Sequence, residues 1–154
     1  MVRIAAVQMS MSRQMEENCG KVCRKIAEAA AGGARMVLFP EGILSWYVPQ
    51  FPGLDKESFA IGMDSPYLVR MLDACRKNHI IASLPLCLDI YGDGNVYACN
   101  VLVSEEGKIL GIGKKNHIVY VDHFYFFQGL RTQASKKLLR CQAQKWPEIL
   151  FFAT

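Results

Sequence analysis

The chain has 154 residues, 51% of them hydrophobic and 21% charged, enough apolar material for one domain with a substantial core. Its net charge of +4 is unevenly spread: residues 1–130 carry 13 Lys/Arg against 13 Asp/Glu, and residues 131–154 carry 5 against 1. A balanced body with a short basic tail and no nucleic-acid-binding motif argues against a nucleic-acid role, and no stretch approaches the ~20 apolar residues that span a bilayer. With no signal-peptide cleavage pattern at the start, a cytoplasmic protein without a membrane role is expected.

Arg3 to Met9 reads as a short buried strand, and Gln14 to Ala31 as a helix whose Cys19, Val22, Cys23, Ile26 and Ala30 recur at helical spacing. Gly32-Gly33 ends it. Met36-Val37-Leu38-Phe39 is a continuous apolar run closed by Pro40, as suits a parallel strand covered on both faces, so the chain opens β-α-β. Ser65-Pro66 pairs an N-cap with proline at the first helical position, and Leu68, Met71, Leu72 and Cys75 give the helix to about Asn78 one apolar face. His79 to Leu88 is a strand, Tyr91 to Asn95 a turn, Val96 to Val103 a strand, and Glu105-Glu106-Gly107 a turn into the strand Lys108 to Gly113. Strands joined by turns predict local antiparallel pairing. From Gly129 onward the pattern weakens, with only Ile149 to Phe152 strand-like.

The six cysteines, Cys19, Cys23, Cys75, Cys87, Cys99 and Cys141, form no CxxC pair and mostly fall within apolar periodic segments, as reduced core cysteines do. Cys19 and Cys23, one helical turn apart, also read as half a metal site, but no ligand pair accompanies them at suitable spacing. Glu41 directly follows a buried strand, at the edge where α/β sheets place ligand-handling groups. A solvated loop glutamate is its alternative reading. Lys115 closes the strand Lys108 to Gly113; adjacent residues of an extended chain face opposite ways, so only one of Lys114 and Lys115 points inward. If the strand continues, Lys115 and His117 share a side.

Taken together, Ile4-Ala5-Ala6-Val7-Gln8-Met9, Asn18, the run Gly33 to Glu41, Glu106 to Gly111 and Lys114-Lys115-Asn116-His117-Ile118 resemble the nitrilase superfamily of carbon–nitrogen hydrolases in order and spacing. Phe124-Tyr125-Phe126 with Gly129 is most similar to its amidase and N-carbamoyl amidase branches. The resemblance implies an α/β fold, part of a four-layer α-β-β-α sandwich whose C-terminal half is missing. It divides the chain into residues 1–129, the N-terminal part of the hydrolase domain, and a divergent basic tail, residues 130–154.

The resemblance also implies a Glu-Lys-Cys constellation in which Glu41 is the general base, Lys115 stabilises the tetrahedral intermediate and Cys141 is the nucleophile, with no metal or organic cofactor. The family's second glutamate, in the loop after the lysine, is matched by Asp122, one methylene shorter. Cys141 and Trp146-Pro147-Glu148 have the family's spacing, but Lys136, Lys137 and Arg140 break the apolar strand before the cysteine, and Gln142-Ala143 replaces an aromatic-aspartate pair. The implied substrate is a small linear amide or N-carbamoyl amine, and the intact protein is expected to form a homo-oligomer. The alternative is a non-catalytic fragment that pairs with full-length subunits.

Overall fold

The computed structural model describes residues 2–46 and 53–129. In chain order these form β1 (Ile4–Ala6), α1 (Met15–Ala31), β2 (Met36–Leu38), β3 (Ile61–Gly62), α2 (Pro66–Asn78), β4 (Ile81–Asp89), β5 (Val96–Val103) and β6 (Ile109–Lys114), with short 3-10 turns at Lys56–Ser58 and Tyr120–Phe124. All six strands join one sheet in the order β1-β2-β4-β5-β6, with β3 alongside the far end of β4. The first four strands run parallel where they pair, and β4, β5 and β6 form an antiparallel meander.

β4 is the axis of the molecule. Its even residues Ala82, Leu84, Leu86 and Leu88 face α1 and α2 and are buried among Cys19, Val22, Ile26, Leu68, Met71 and Cys75. The opposite face near its C-terminal end is covered by a smaller cluster of Phe59, Cys87, Val96 and Phe126. Burial on both faces explains why β4 lacks polar alternation. Helix α2 starts as the sequence predicts: the Ser65 hydroxyl accepts from Tyr67 N at 3.3 Å, with Pro66 in the first turn.

Three element boundaries differ from expectation. The first strand is only Ile4–Ala6 and Ile4 is 41% exposed; among the described residues β1 pairs with β2 alone. His79 belongs to the end of α2 rather than to β4: it takes a left-handed conformation with φ of 49°, which turns the chain into Ile81. The pairing of β6 ends at Lys114, and Asn116-His117 form a bend, so His117 does not extend a strand alongside Lys115. β3, two residues long, gives no periodic signal and exists through its pairing with Leu88 and Asp89.

Among the described residues no helix is long and apolar enough to cross a membrane. The described cysteines are all free: Cys19, Cys75, Cys87 and Cys99 are buried, and Cys23 is half-buried at the α1–α2 contact. The expected basic tail, residues 130–154, lies outside the described residues.

Candidate active site

Two loops leave the C-terminal ends of β2 and β4, and a third segment follows β6; the candidate residues come from the first and third. Pro40 ends β2, and residues 42–46 make a tight turn in which Ser45 N and Trp46 N both donate to Gly42 O, at 3.1 and 2.9 Å. Gly42 has φ of 69°, and a Cβ there would collide with the Trp46 carbonyl, so both the backbone conformation and the close approach call for glycine. The turn is anchored to the sheet by Ile43 N donating to Pro85 O at 3.3 Å. This holds Glu41 over the edge of the sheet with a side chain 57% exposed.

Lys115 is fixed at its backbone on both sides. Its N–H donates to Ala98 O at 2.8 Å and its carbonyl accepts from Gly129 N at 3.0 Å. Because Ala98 stands opposite Cys87 in the β4–β5 register, Cys87, Ala98 and Lys115 form one row across the same face of the sheet. Lys114 points the other way, its ammonium 4.8 Å from the centre of the Tyr97 ring and 5.3 Å from that of Tyr91. The inward lysine is Lys115.

The Lys115 ammonium lies 3.3 Å from Glu41 Oε1 and 2.8 Å from Asp122 Oδ2, so one cation joins two carboxylates that are 81 positions apart in sequence numbering. Asp122 is fully buried, and its second oxygen, Oδ1, has no hydrogen-bond partner among the described residues. Asp122 is held by its own 3-10 turn, where Tyr125 N and Phe126 N donate to its carbonyl at 3.0 and 2.8 Å. Edge-on packing of Phe59 against Tyr125 and Phe126, at 5.9 and 6.2 Å between ring centres, pins that turn to the sheet. Burial works against the charged form of Lys115, but the hydrogen bond to Asp122 and the charge of Glu41 together outweigh it and raise the ammonium above its ordinary value of 10.5. The lysine is a permanent cation at neutral pH.

Cys87 lies beneath this group. Its thiol is within 3.5 Å of the Ser45 hydroxyl, and burial, with the Glu41 and Asp122 carboxylates adding to it, pushes the thiol up to about 11. Reading Cys87 as a core residue was incomplete: its parity with Ala98 and Lys115 puts it on the floor of the site, and that parity is visible only once the strands are in register. Cys141 lies outside the described residues, as does the Trp146-Pro147-Glu148 triplet.

A sheet with parallel β-α-β opening and antiparallel meander, carrying a glutamate after β2 and a lysine and a buried acid after β6, defines a partial nitrilase-type α/β fold. The chain belongs to the carbon-nitrogen hydrolase family, whose profile matches residues 3–153, and so to the nitrilase superfamily. Nitrilase 1 of Arabidopsis thaliana is 31% identical over 131 residues, covering 74% of this chain and 37% of its own length. The citrullinase of Francisella tularensis is 28% identical over 133 residues, covering 83% of this chain and 46% of its own length. Among solved structures, the NitN amidase from Neterenkonia sp. AN1 superposes with a TM-score of 0.68 at 22% identity, over 85% of this chain and 51% of that one. A carbon-nitrogen hydrolase from Helicobacter pylori G27 does so with a TM-score of 0.68 at 14% identity, over 84% and 45%. The chain therefore spans less than half the length of these curated relatives.

Proposed function

We propose that this chain supplies the base and the oxyanion-stabilising cation for hydrolysis of a non-peptide C–N bond in a small linear amide or N-carbamoyl amine. The observation that carries this reading is the Lys115 ammonium held between Glu41 and the buried Asp122, at 3.3 and 2.8 Å. An ammonium kept charged and fixed in this way stabilises an oxygen that becomes negative as a carbonyl is attacked. Glu41, the more exposed partner, is free to accept a proton, while Asp122 orients the lysine. A cysteine thiol gives its proton to Glu41 as sulfur bonds to the carbonyl carbon; the C–N bond then breaks, and the amine leaves with the proton that Glu41 returns. Water hydrolyses the thioester by the same route, and no step requires a metal or organic cofactor. Cys141 is the thiol that the family spacing assigns.

The N-carbamoyl class is supported by a relative named citrullinase, since citrulline carries a carbamoyl-amine group. The second reading, a non-catalytic chain that pairs with full-length subunits, is favoured by Lys136, Lys137 and Arg140, which interrupt the apolar run ahead of Cys141. Ammonia release from simple amides and N-carbamoyl amines by the 154-residue chain tests the first reading. Release that is lost in Glu41→Gln, Lys115→Met and Cys141→Ala supports the enzyme. No release, together with stable co-purification with a full-length family member, supports the second reading.

A further inference from the structure

Asn18 is a polar side chain with no exposure at all, on a helix that otherwise buries Cys19, Val22 and Ile26. Its amide is engaged on both ends: Nδ2 donates to Ser12 O at 2.8 Å and to Leu44 O at 2.7 Å, and Oδ1 accepts from Ser12 N at 2.8 Å. One side chain thus ties α1 to the loop after β1 and to the turn after β2. Leu44 is 3% exposed and sits three residues beyond Glu41, inside the turn closed by Gly42. Among the described residues, the turn's backbone bond to the sheet is the longer one from Ile43 N to Pro85 O, at 3.3 Å.

We propose that Asn18 is a positioning residue for the site: by holding the Leu44 carbonyl, it fixes the turn that carries Glu41 and so sets the Glu41 carboxylate against the Lys115 ammonium. The proposal rests on the reading of Glu41 as the working base. A buried carbonyl deprived of its donor has to find another or move toward water. Leu44 can do either only by shifting its turn, and Glu41 is the residue directly before that turn. Replacing the amide by a carboxylate is the sharper perturbation, because Asn18→Asp keeps size and the acceptor for Ser12 N but sets an oxygen against the Ser12 and Leu44 carbonyls. The chemistry of the side chain, rather than its volume, is what the geometry requires.

The test reads Lys115 directly, without depending on turnover. Reductive ¹³C-methylation of the 154-residue chain gives an NMR signal whose titration reports the Lys115 amine, assigned with Lys115→Met. Glu41→Gln sets the size of the Glu41 contribution to that titration. The expected result is that folded Asn18→Asp, or Asn18→Ser should the aspartate variant not fold, shifts the Lys115 titration downward to a similar extent. Combined with Glu41→Gln, the Asn18 variant is expected to add nothing further. Where amide hydrolysis is measurable, kcat falls at least tenfold with KM changed less than about twofold, as for lost transition-state alignment. A folded Asn18 variant with a wild-type Lys115 titration, or a shift additive with that of Glu41→Gln, overturns the proposal. Failure of both Asn18 variants to fold also overturns it, in favour of a purely structural role. A chain without hydrolytic activity would sink the proposed function and leave the Lys115 titration to decide this inference separately.

Discussion

Lys115→Met removes the cation that faces Asp122 while keeping the length and apolar body of the side chain. The carboxylate left behind is 1% exposed, was 2.8 Å from the ammonium, and has a second oxygen without a partner among the described residues. Breaking a fully buried pair from one side costs about 3–5 kcal/mol. Lys115 is itself 32% exposed, so water screens part of the interaction, and the expected loss is about 2–3 kcal/mol. For a chain of this length that corresponds to a fall in Tm of about 5–10 °C. Adding Asp122→Asn removes the stranded charge, so the double variant is expected to be more stable than Lys115→Met alone, with a coupling of at least about 1 kcal/mol. Urea and thermal unfolding of the four proteins, followed by circular dichroism, close the cycle. A Lys115→Met protein as stable as the wild type, or strictly additive single effects, would refute the claim that a buried ion pair anchors the site.

Other outcomes follow from the same geometry. The folded-state titration of Lys115 lies above 10.5, so its contribution to stability is complete below that pH and is lost as the pH rises through the folded value; the stability gap between wild type and Lys115→Met should close only in strong alkali. Iodoacetamide labelling with mass spectrometry should find Cys23 the fastest of the described thiols. The neighbouring Cys19 thiol, one turn away, and the Arg70 guanidinium bring the Cys23 thiol below its ordinary value, whereas burial pushes Cys75, Cys87 and Cys99 up to about 12, 11 and 12. Equal labelling of all five would contradict this. Cys141, if it is the nucleophile, must label at least as fast as Cys23. Gly42→Ala forces a side chain into left-handed backbone against the Trp46 carbonyl and should cost about 1–3 kcal/mol in urea unfolding, along with any hydrolytic activity. A Gly42→Ala protein of wild-type stability would show that the turn relaxes freely.

The amino-acid sequence by itself determined the local structure and the likeness to a family. Ser65 and Pro66 start α2 through a hydroxyl and a fixed backbone angle, and the apolar spacing of Cys19, Val22 and Ile26 gives α1 its buried face. These signals act over a few residues, so they survive without knowledge of the rest of the chain. Glu41 and Lys115 were also legible as motif positions, because Pro40 and the end of β6 mark where strands stop, and Asp122 only as the match that the family resemblance implies for a second glutamate. What only the tertiary structure decided is how such positions meet. The contact between Lys115 and Glu41 crosses 74 residues, the tie from Asn18 to Leu44 crosses 26, and the place of Cys87 beneath both carboxylates depends on strand register. Each of these is a product of which strands pair and in what alignment, and a shift of one residue would turn Lys115 away and Lys114 in. The short extent of β1, the start of β4 at Ile81 and the existence of β3 follow from the same cause: a strand's limits are set by the neighbour it bonds to, and that neighbour is distant in sequence.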